Sequence, residues 1–265
     1  MSSSFNTTYV KTESEISKIE KACRIVADTL SLLEKYIKAG IETIEIDKVA
    51  EDYILSKGAK PAFKGYMVDG RKFPNTLCIS IDDEVVHGIP GKRMLEEGQI
   101  VSLDCGAELE GYFGDSAVTY PVGKVSEEKV RLMAVTQEAL VQGIEKAVTG
   151  NKIYDISRAV QEFVEKNGYS VTRELVGHGI GKNLHEEPPV PNFVPPLLHR
   201  SKYPNVKMMK GMALAIEPMV HAGRQYVKNA RDGWMVRTAD GKPAAHFEHT
   251  VIIEDNYPLV LTQRD

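Results

Sequence analysis

Cysteine is scarce in this 265-residue chain: Cys23, Cys78 and Cys105 are the whole complement, and no two stand at CxxC spacing. That fits reduced thiols in a cytosolic protein better than a disulfide framework or a cysteine zinc site. Long apolar runs are missing as well, since none approaches the ~20 residues of a membrane span. The opening residues Met1-Ser2-Ser3-Ser4-Phe5-Asn6 show no basic segment followed by an apolar core, so no signal peptide is expected. Excess positive charge is also absent. A net charge of −4 and a pI near 6.0 argue against a nucleic-acid binder working by bulk electrostatics. What remains is an ordinary soluble composition, 42% hydrophobic and 26% charged, long enough to bury a substantial core.

Four helices are expected, in two pairs. Thr12-x-x-Glu15 is a capping box opening a long helix with Ile16, Ile19, Cys23, Val26, Leu30, Leu33 and Ile37 on one stripe. Gly40 stands where a glycine would end it. A second helix, 47–57, stops at Gly58. Ser126 with Glu127 and Glu128 starts a third, running to about residue 148 and breaking at Gly150. A fourth spans 154–167 and ends at Gly168, and strand-like sequence follows each pair. The step from Gly40 to Gly58 equals that from Gly150 to Gly168. Ile46, Val49, Tyr53 and Ile54 also match Ile156, Ala159, Phe163 and Val164. The spacing is either coincidence between amphipathic helices or the mark of two pseudo-symmetric αβ halves, approximately 12–122 and 126–262, with a cleft between them. Residues 188–204 hold six of the thirteen prolines and read as an extended, ordered loop, so 1–265 is taken as one domain.

Acidic residues interrupt several hydrophobic strands. Asp104 and Asp115 flank a short turn, and a loop at Leu109-Glu110 would set them opposite each other, with a bulge at Gly111 shifting this by about one position. Facing Cβ atoms lie about 4.5–5.5 Å apart, so such carboxylates need a shared proton or a cation unless the hairpin faces solvent. Glu217 in Ala215-Ile216-Glu217-Pro218-Met219 and Glu248 in Phe247-Glu248-His249 also sit in core-like strands, where each needs a proton, an Arg or Lys partner, or a metal. His178, bracketed by Gly177 and Gly179, is either a hydrogen-bonded core residue or a fifth ligand. Two Asp, two Glu and a neutral His carry four negative charges, which two divalent cations would cancel. Such oxygen-rich ligation suits Mn, Fe, Co or Zn, and two adjacent metals predict a hydrolase. His87 and His185 are candidates for polar roles around the centre.

These segments together resemble type I methionine aminopeptidases of the short kind lacking an N-terminal zinc-binding extension. The match runs in order through Glu84-Val85-Val86-His87-Gly88-Ile89-Pro90, the two aspartates, Gly177-His178-Gly179-Ile180-Gly181, Leu184-His185-Glu186-Glu187-Pro188, Ile216-Glu217-Pro218, Asp232-Gly233-Trp234 and Phe247-Glu248-His249-Thr250. The resemblance implies an α+β pita-bread fold whose sheets line a central metal site with helices outside. It implies removal of the initiator methionine from nascent proteins and peptides through a metal-bridging hydroxide. Two divalent ions would be held, with Co, Mn, Fe, Zn or Ni possible: His178 and Glu217 on one, bidentate Asp104 on the other, Asp115 and Glu248 bridging. Glu217 would shuttle a proton, His185 would stabilise the oxyanion and His87 would contact the scissile bond. Tyr66, Phe73, Cys78, Leu184 and Trp234 would line the methionine pocket, where a thioether packs well.

Some features depart from the family pattern. Met67 to Lys72 looks a few residues long, Leu184 stands where an aromatic is common, His246 replaces a usual glutamine, and the proline-rich loop looks expanded. A cytoplasmic monomer in transient contact with the ribosome is expected, with no membrane and no sequence-specific nucleic acid as partner. The rivals are an Xaa-Pro aminopeptidase or prolidase, whose extra N-terminal domain has no room in the twelve residues before the first helix, and a non-enzymatic pita-bread binding protein.

Overall fold

The computed structural model describes residues 9–264, so the expectation about a leader at residues 1–6 lies outside the described residues. Helix α1 (Glu13–Glu34) begins at the capping box: the Glu15 N–H donates to Thr12 Oγ1 at 3.3 Å and the Thr12 N–H to Glu15 Oε2 at 2.9 Å. Helices α2 (Thr43–Ser56), α3 (Glu127–Ile144) and α4 (Ile153–Lys166) follow. Three ends differ from expectation. α1 and α3 each stop well short of Gly40 and Gly150, and α2 starts at Thr43 instead of 47. The two glycines, at φ +87° and +95°, are turns into the next helix rather than ends of the last. Their N–H groups donate to Leu95 and Met208 carbonyls. Just beyond them, the Glu42 and Lys152 N–H groups are held by Glu45 and Asp155 carboxylates, at 3.0 and 2.8 Å, which launches α2 and α4 early. The pairs 34/144, 40/150, 43/153, 56/166 and 58/168 all share one constant offset. Coincidence does not produce that, so the repeat is structural.

Strands β1 (Leu77–Ile81), β2 (Ile100–Leu109) and β3 (Tyr112–Pro121) form the first half's sheet, with β2 antiparallel to both neighbours. The buried stripe of α1, Ile19 to Leu33, covers β2 and β3. Gly114 lets the α1 backbone press on β3 at Ala22 and Cys23, where a Cβ would collide. The second half contributes β4 (Gly177–Gly179), β5 (Glu186–Val190), β6 (Ala213–Ile216), β7 (Met219–His221), β8 (Ala244–His246) and β9 (His249–Ile252), with α3 and α4 packed outside. One sheet runs β5-β4-β6-β9 and ends on the short strand Leu259–Val260. Another joins β8, β7 and Ser170–Val171.

The hairpin register corrects the sequence reading. Glu110 and Gly111, at φ +53° and +77°, form the two-residue turn that pairs Leu109 with Tyr112, as a primed turn requires. Asp104 therefore faces Ala117, and Asp115 faces Gly106. The two aspartates are diagonal neighbours on one face, not a directly opposed pair. Nor are residues 188–190 loop: they belong to β5, whose Pro188 and Pro189 fall in a bulge between the pairings 186↔179 and 190↔177. A bulge spares these residues, which lack N–H groups, from the ladder. Leu197–His199 forms a short 3₁₀ turn. No helix among the described residues is long and apolar enough to cross a membrane.

Candidate metal centre

The sheets of the two halves meet along β3. Here hydroxyls cross-link backbone: Ser116 Oγ donates to the Glu248 carbonyl at 2.6 Å, Thr250 Oγ1 to that of Asp115 at 2.7 Å, and the Glu248 N–H to Ala117 O at 3.0 Å. This seam brings Asp115 on β3 and Glu248, between β8 and β9, to one place. Asp104 arrives from β2, His178 from the centre of β4, and Glu217 from the break between β6 and β7. All five border a single cavity of about 130 Å³.

His178 Nε2 lies 3.9 Å from Asp115 Oδ2 and 3.6 Å from Glu217 Oε1. Ligand atoms of Asp115, His178 and Glu248 fall within 4.8 Å of one another. Ligands about 2.1 Å from a shared ion would sit roughly 3–3.5 Å apart, slightly closer than these. His178 Nδ1 bonds the Gly179 carbonyl at 2.9 Å, so Nδ1 carries the proton and the Nε2 lone pair faces the carboxylates. Burial, helped by His185, lowers the His178 pKa to about 3 and keeps the ring neutral.

The carboxyl groups are perturbed the other way. Burial pushes Asp104 up to about 7. Burial, then Glu248 and Asp104, drives Asp115 well up; Glu217 rises through burial, Asp104 and Asp115, and Glu248 through burial, Glu217 and Asp104. None of the four pairs with a Lys or Arg among the described residues; the partners within 4 Å are imidazoles. Arg264 acts on Glu248 only at a distance and donates to Ser116 Oγ at 3.2 Å. Asp104 Oδ1, Asp115 Oδ1 and Glu248 Oε1 are buried without any hydrogen-bond partner. An uncompensated set of this kind costs several kcal/mol in order-of-magnitude terms. Divalent cations satisfy the donor set, so the residues fit a metal pair.

The remaining predicted residues surround the same cavity. Phe73, Cys78 and Leu184 are buried in a small apolar cluster with Tyr66 and Trp234 against it, and all five line the cavity. The segment 67–72 is a separate hairpin and leaves Phe73 edge-on to Trp234, centroids 5.2 Å apart. His185 is exposed at the mouth, 4.4 Å centroid to centroid from His178, and its Nδ1 is 2.7 Å from the Tyr66 hydroxyl. His87, at φ +60°, also borders the cavity, and burial lowers its pKa to about 4. The sequence reading missed Phe63 and Val68 in the lining. Phe63 reads as an ordinary core aromatic, and only Gly106, whose missing Cβ admits its ring, hints otherwise. The seam hydroxyls Ser116, Thr119 and Thr250 were missed too, although their polarity within apolar strands was a signal.

Residues 17–255 match the model of metallopeptidase family M24. The methionine aminopeptidase of Clostridium acetobutylicum is 49% identical over 254 residues, 96% of this chain and 98% of that protein. The crystal structure of methionine aminopeptidase from Thermotoga maritima superposes with a TM-score of 0.90 at 41% identity, covering 96% of this chain and 99% of that one. A prolidase from Pyrococcus furiosus shares the fold at a TM-score of 0.78 and 24% identity, but this chain covers only 67% of it. The architecture is the pita-bread fold, and the chain belongs to metallopeptidase family M24, among its methionine aminopeptidases.

Proposed function

We propose that His178 and Glu217 hold one divalent ion, that Asp104 holds a second, and that Asp115 and Glu248 are shared between them. The observation carrying this is the set of three buried, partnerless carboxylate oxygens in a cavity that also receives the His178 imidazole. The enzyme is a methionyl aminopeptidase, hydrolysing the bond after an N-terminal methionine. When bound, a metal pair supplies Lewis acidity and a nucleophile at neutral pH; Mn, Fe, Co, Zn and Ni all suit the donors.

The chain's own residues supply the rest. The apolar cluster around Phe73, Cys78, Leu184 and Trp234 accepts an unbranched thioether side chain. The buried carboxylates close the inner end of this pocket, which would confine cleavage to chain ends. Burial raises the Tyr66 pKa, so its hydroxyl stays protonated and donates to His185 Nδ1. That places the His185 proton on Nε2, where it can meet a developing oxyanion. Burial keeps His87 neutral at the cavity wall, where it would contact the scissile bond. Glu217 carries a proton from the attacking water to the leaving amine.

The reading extends to one catalytic domain acting as a cytoplasmic monomer on nascent chains, in transient ribosome contact. Metal-loaded enzyme should release free Met from Met-Ala and Met-Gly peptides and nothing from Leu- or Xaa-Pro-starting ones. Cleavage of Xaa-Pro peptides with Met-peptides untouched would overturn the assignment.

A further inference from the structure

We infer that His246 is a positioning residue for Glu217: its Nε2–H donates to Glu217 Oε2, which leaves Oε1 for the ion that His178 also holds. The inference rests on the ligand assignment above. Glu217 stands between two imidazoles on opposite oxygens, with His178 Nε2 3.6 Å from Oε1 and His246 Nε2 3.8 Å from Oε2. Among the described residues, no Lys, Arg, hydroxyl or backbone N–H bonds this carboxylate. His246 is 2% exposed, and its Nε2 is a buried nitrogen with no partner. A group so placed is costly unless a bond forms.

Hydrogen bonds hold both backbones on either side of this contact. Thr119 Oγ1 accepts from the His246 N–H at 2.9 Å and donates to its carbonyl at 2.8 Å. Asn192 Nδ2 donates to the Glu217 carbonyl at 3.0 Å. The strand pairing Met219↔His246 sets the register just beyond Glu217. The present separation of His246 Nε2 and Glu217 Oε2, 3.8 Å, is too long for a hydrogen bond. A cavity of about 120 Å³ bordered by both side chains gives room to close it. Once a bound cation holds Glu217 ionised, the donor meets a full charge, and such bonds settle near about 2.8 Å.

The role differs from that of a ligand in what a substitution does. His246→Gln keeps an N–H donor, whereas His246→Leu keeps bulk and removes it. Dissociation constants for Mn(II) or Co(II), measured by calorimetry and chelator competition on full-length wild type and both variants, separate the cases. The expected result is affinity weakened roughly 10- to 100-fold in His246→Leu, the usual cost of losing a group that orients a ligand. His246→Gln should stay within a few-fold of wild type, and the metal-free Leu variant should melt near the wild-type temperature. Equal affinity in Leu and wild type would overturn the role, as would a Gln variant as weak as Leu, which would make the imidazole itself a ligand. If the Leu variant does not fold, His246→Met is read by the same criteria. Failure of wild type to bind any metal would instead defeat the ligand assignment.

Discussion

Removing the metal should expose the four perturbed carboxyl groups as a pH-dependent instability. In the metal-free protein Asp104 is pushed to about 7, and Asp115, Glu217 and Glu248 are also raised well above the ordinary carboxylate range, chiefly by burial. An acid whose pKa is higher folded than unfolded holds protons that the unfolded chain releases. Its contribution is intact below the ordinary carboxylate value and is lost as pH climbs towards the folded value. Buried histidines oppose this at lower pH. His87, His178, His246 and His249 are lowered to between about 3 and about 4, so acidification below about 6.5 favours the unfolded chain. Above pH 7 the histidine contribution is complete and the carboxyl loss stands alone. Beyond pH 8 the buried thiols Cys23, Cys78 and Cys105, all raised by burial, add a loss of the same sign. The clean window is therefore pH 7 to 8. Each carboxyl still protonated there costs up to about 1.4 kcal/mol per pH unit, or roughly 3–5 °C in Tm for a chain this size. Metal at 100 times its Kd should add about 2.7 kcal/mol, a gap that widens with pH because binding needs ionised ligands. Calorimetric melts at pH 7.0, 7.5 and 8.0, with chelator and with Mn(II), test this. A metal-free Tm that is flat or rises across the window would refute it.

Four further substitutions probe separate parts of the structure. Asp104→Asn or His178→Ala should abolish methionine release while the protein elutes from gel filtration as wild type does; full activity in either would contradict the ligand set. Tyr66→Phe removes the 2.7 Å contact to His185, which should lower kcat by up to about tenfold, the worth of one hydrogen bond of about 1.4 kcal/mol, with KM little changed. Gly114→Ala drives a Cβ into the α1 backbone at Ala22 and Cys23, and overpacking of about 1–3 kcal/mol should drop Tm by several degrees without changing substrate preference.

How much was legible from sequence depended on whether a signal was local. The Thr12 capping box and the Ser126 cap each state their function within one helical turn, and both helices begin where expected. The ligand candidates were legible because ionisable residues in core strands conflict with their surroundings, and the cavity gathers all five. Turn chemistry was misread: assigning the hairpin loop one residue early moved both aspartates off their true partners. Gly40 and Gly150 read as helix ends in the sequence because a positive-φ glycine suits a helix end and a turn into the next helix equally well. Phe63 and the seam hydroxyls act only through contacts with distant segments, such as Ser116 to Glu248, and short-range patterning carries no record of those.

The seam also explains why the repeat showed in the helices and not in the acids. Helix boundaries keep one constant offset between the halves, whereas the step from Asp104 to Glu217 slightly exceeds it and that from Asp115 to Glu248 exceeds it by far more. The first half joins its acids by the two-residue turn Glu110-Gly111. The second half inserts β7, the strands Val227–Asn229 and Val236–Thr238, and β8 between Glu217 and Glu248. What survives is a reciprocal pair of bonds, Ser116 to the Glu248 carbonyl and Thr250 to the Asp115 carbonyl. Each half thereby holds the other's acid by its backbone. Asp115 and Glu248 thus sit together at the seam, while Asp104 and Glu217 arrive from strands of one half each. Two seam acids with one further acid from each half would offer places for two cations. Under the ligand set proposed above, His178, which enters from β4, would make those places chemically unequal: one would gain a nitrogen and the other would remain all oxygen.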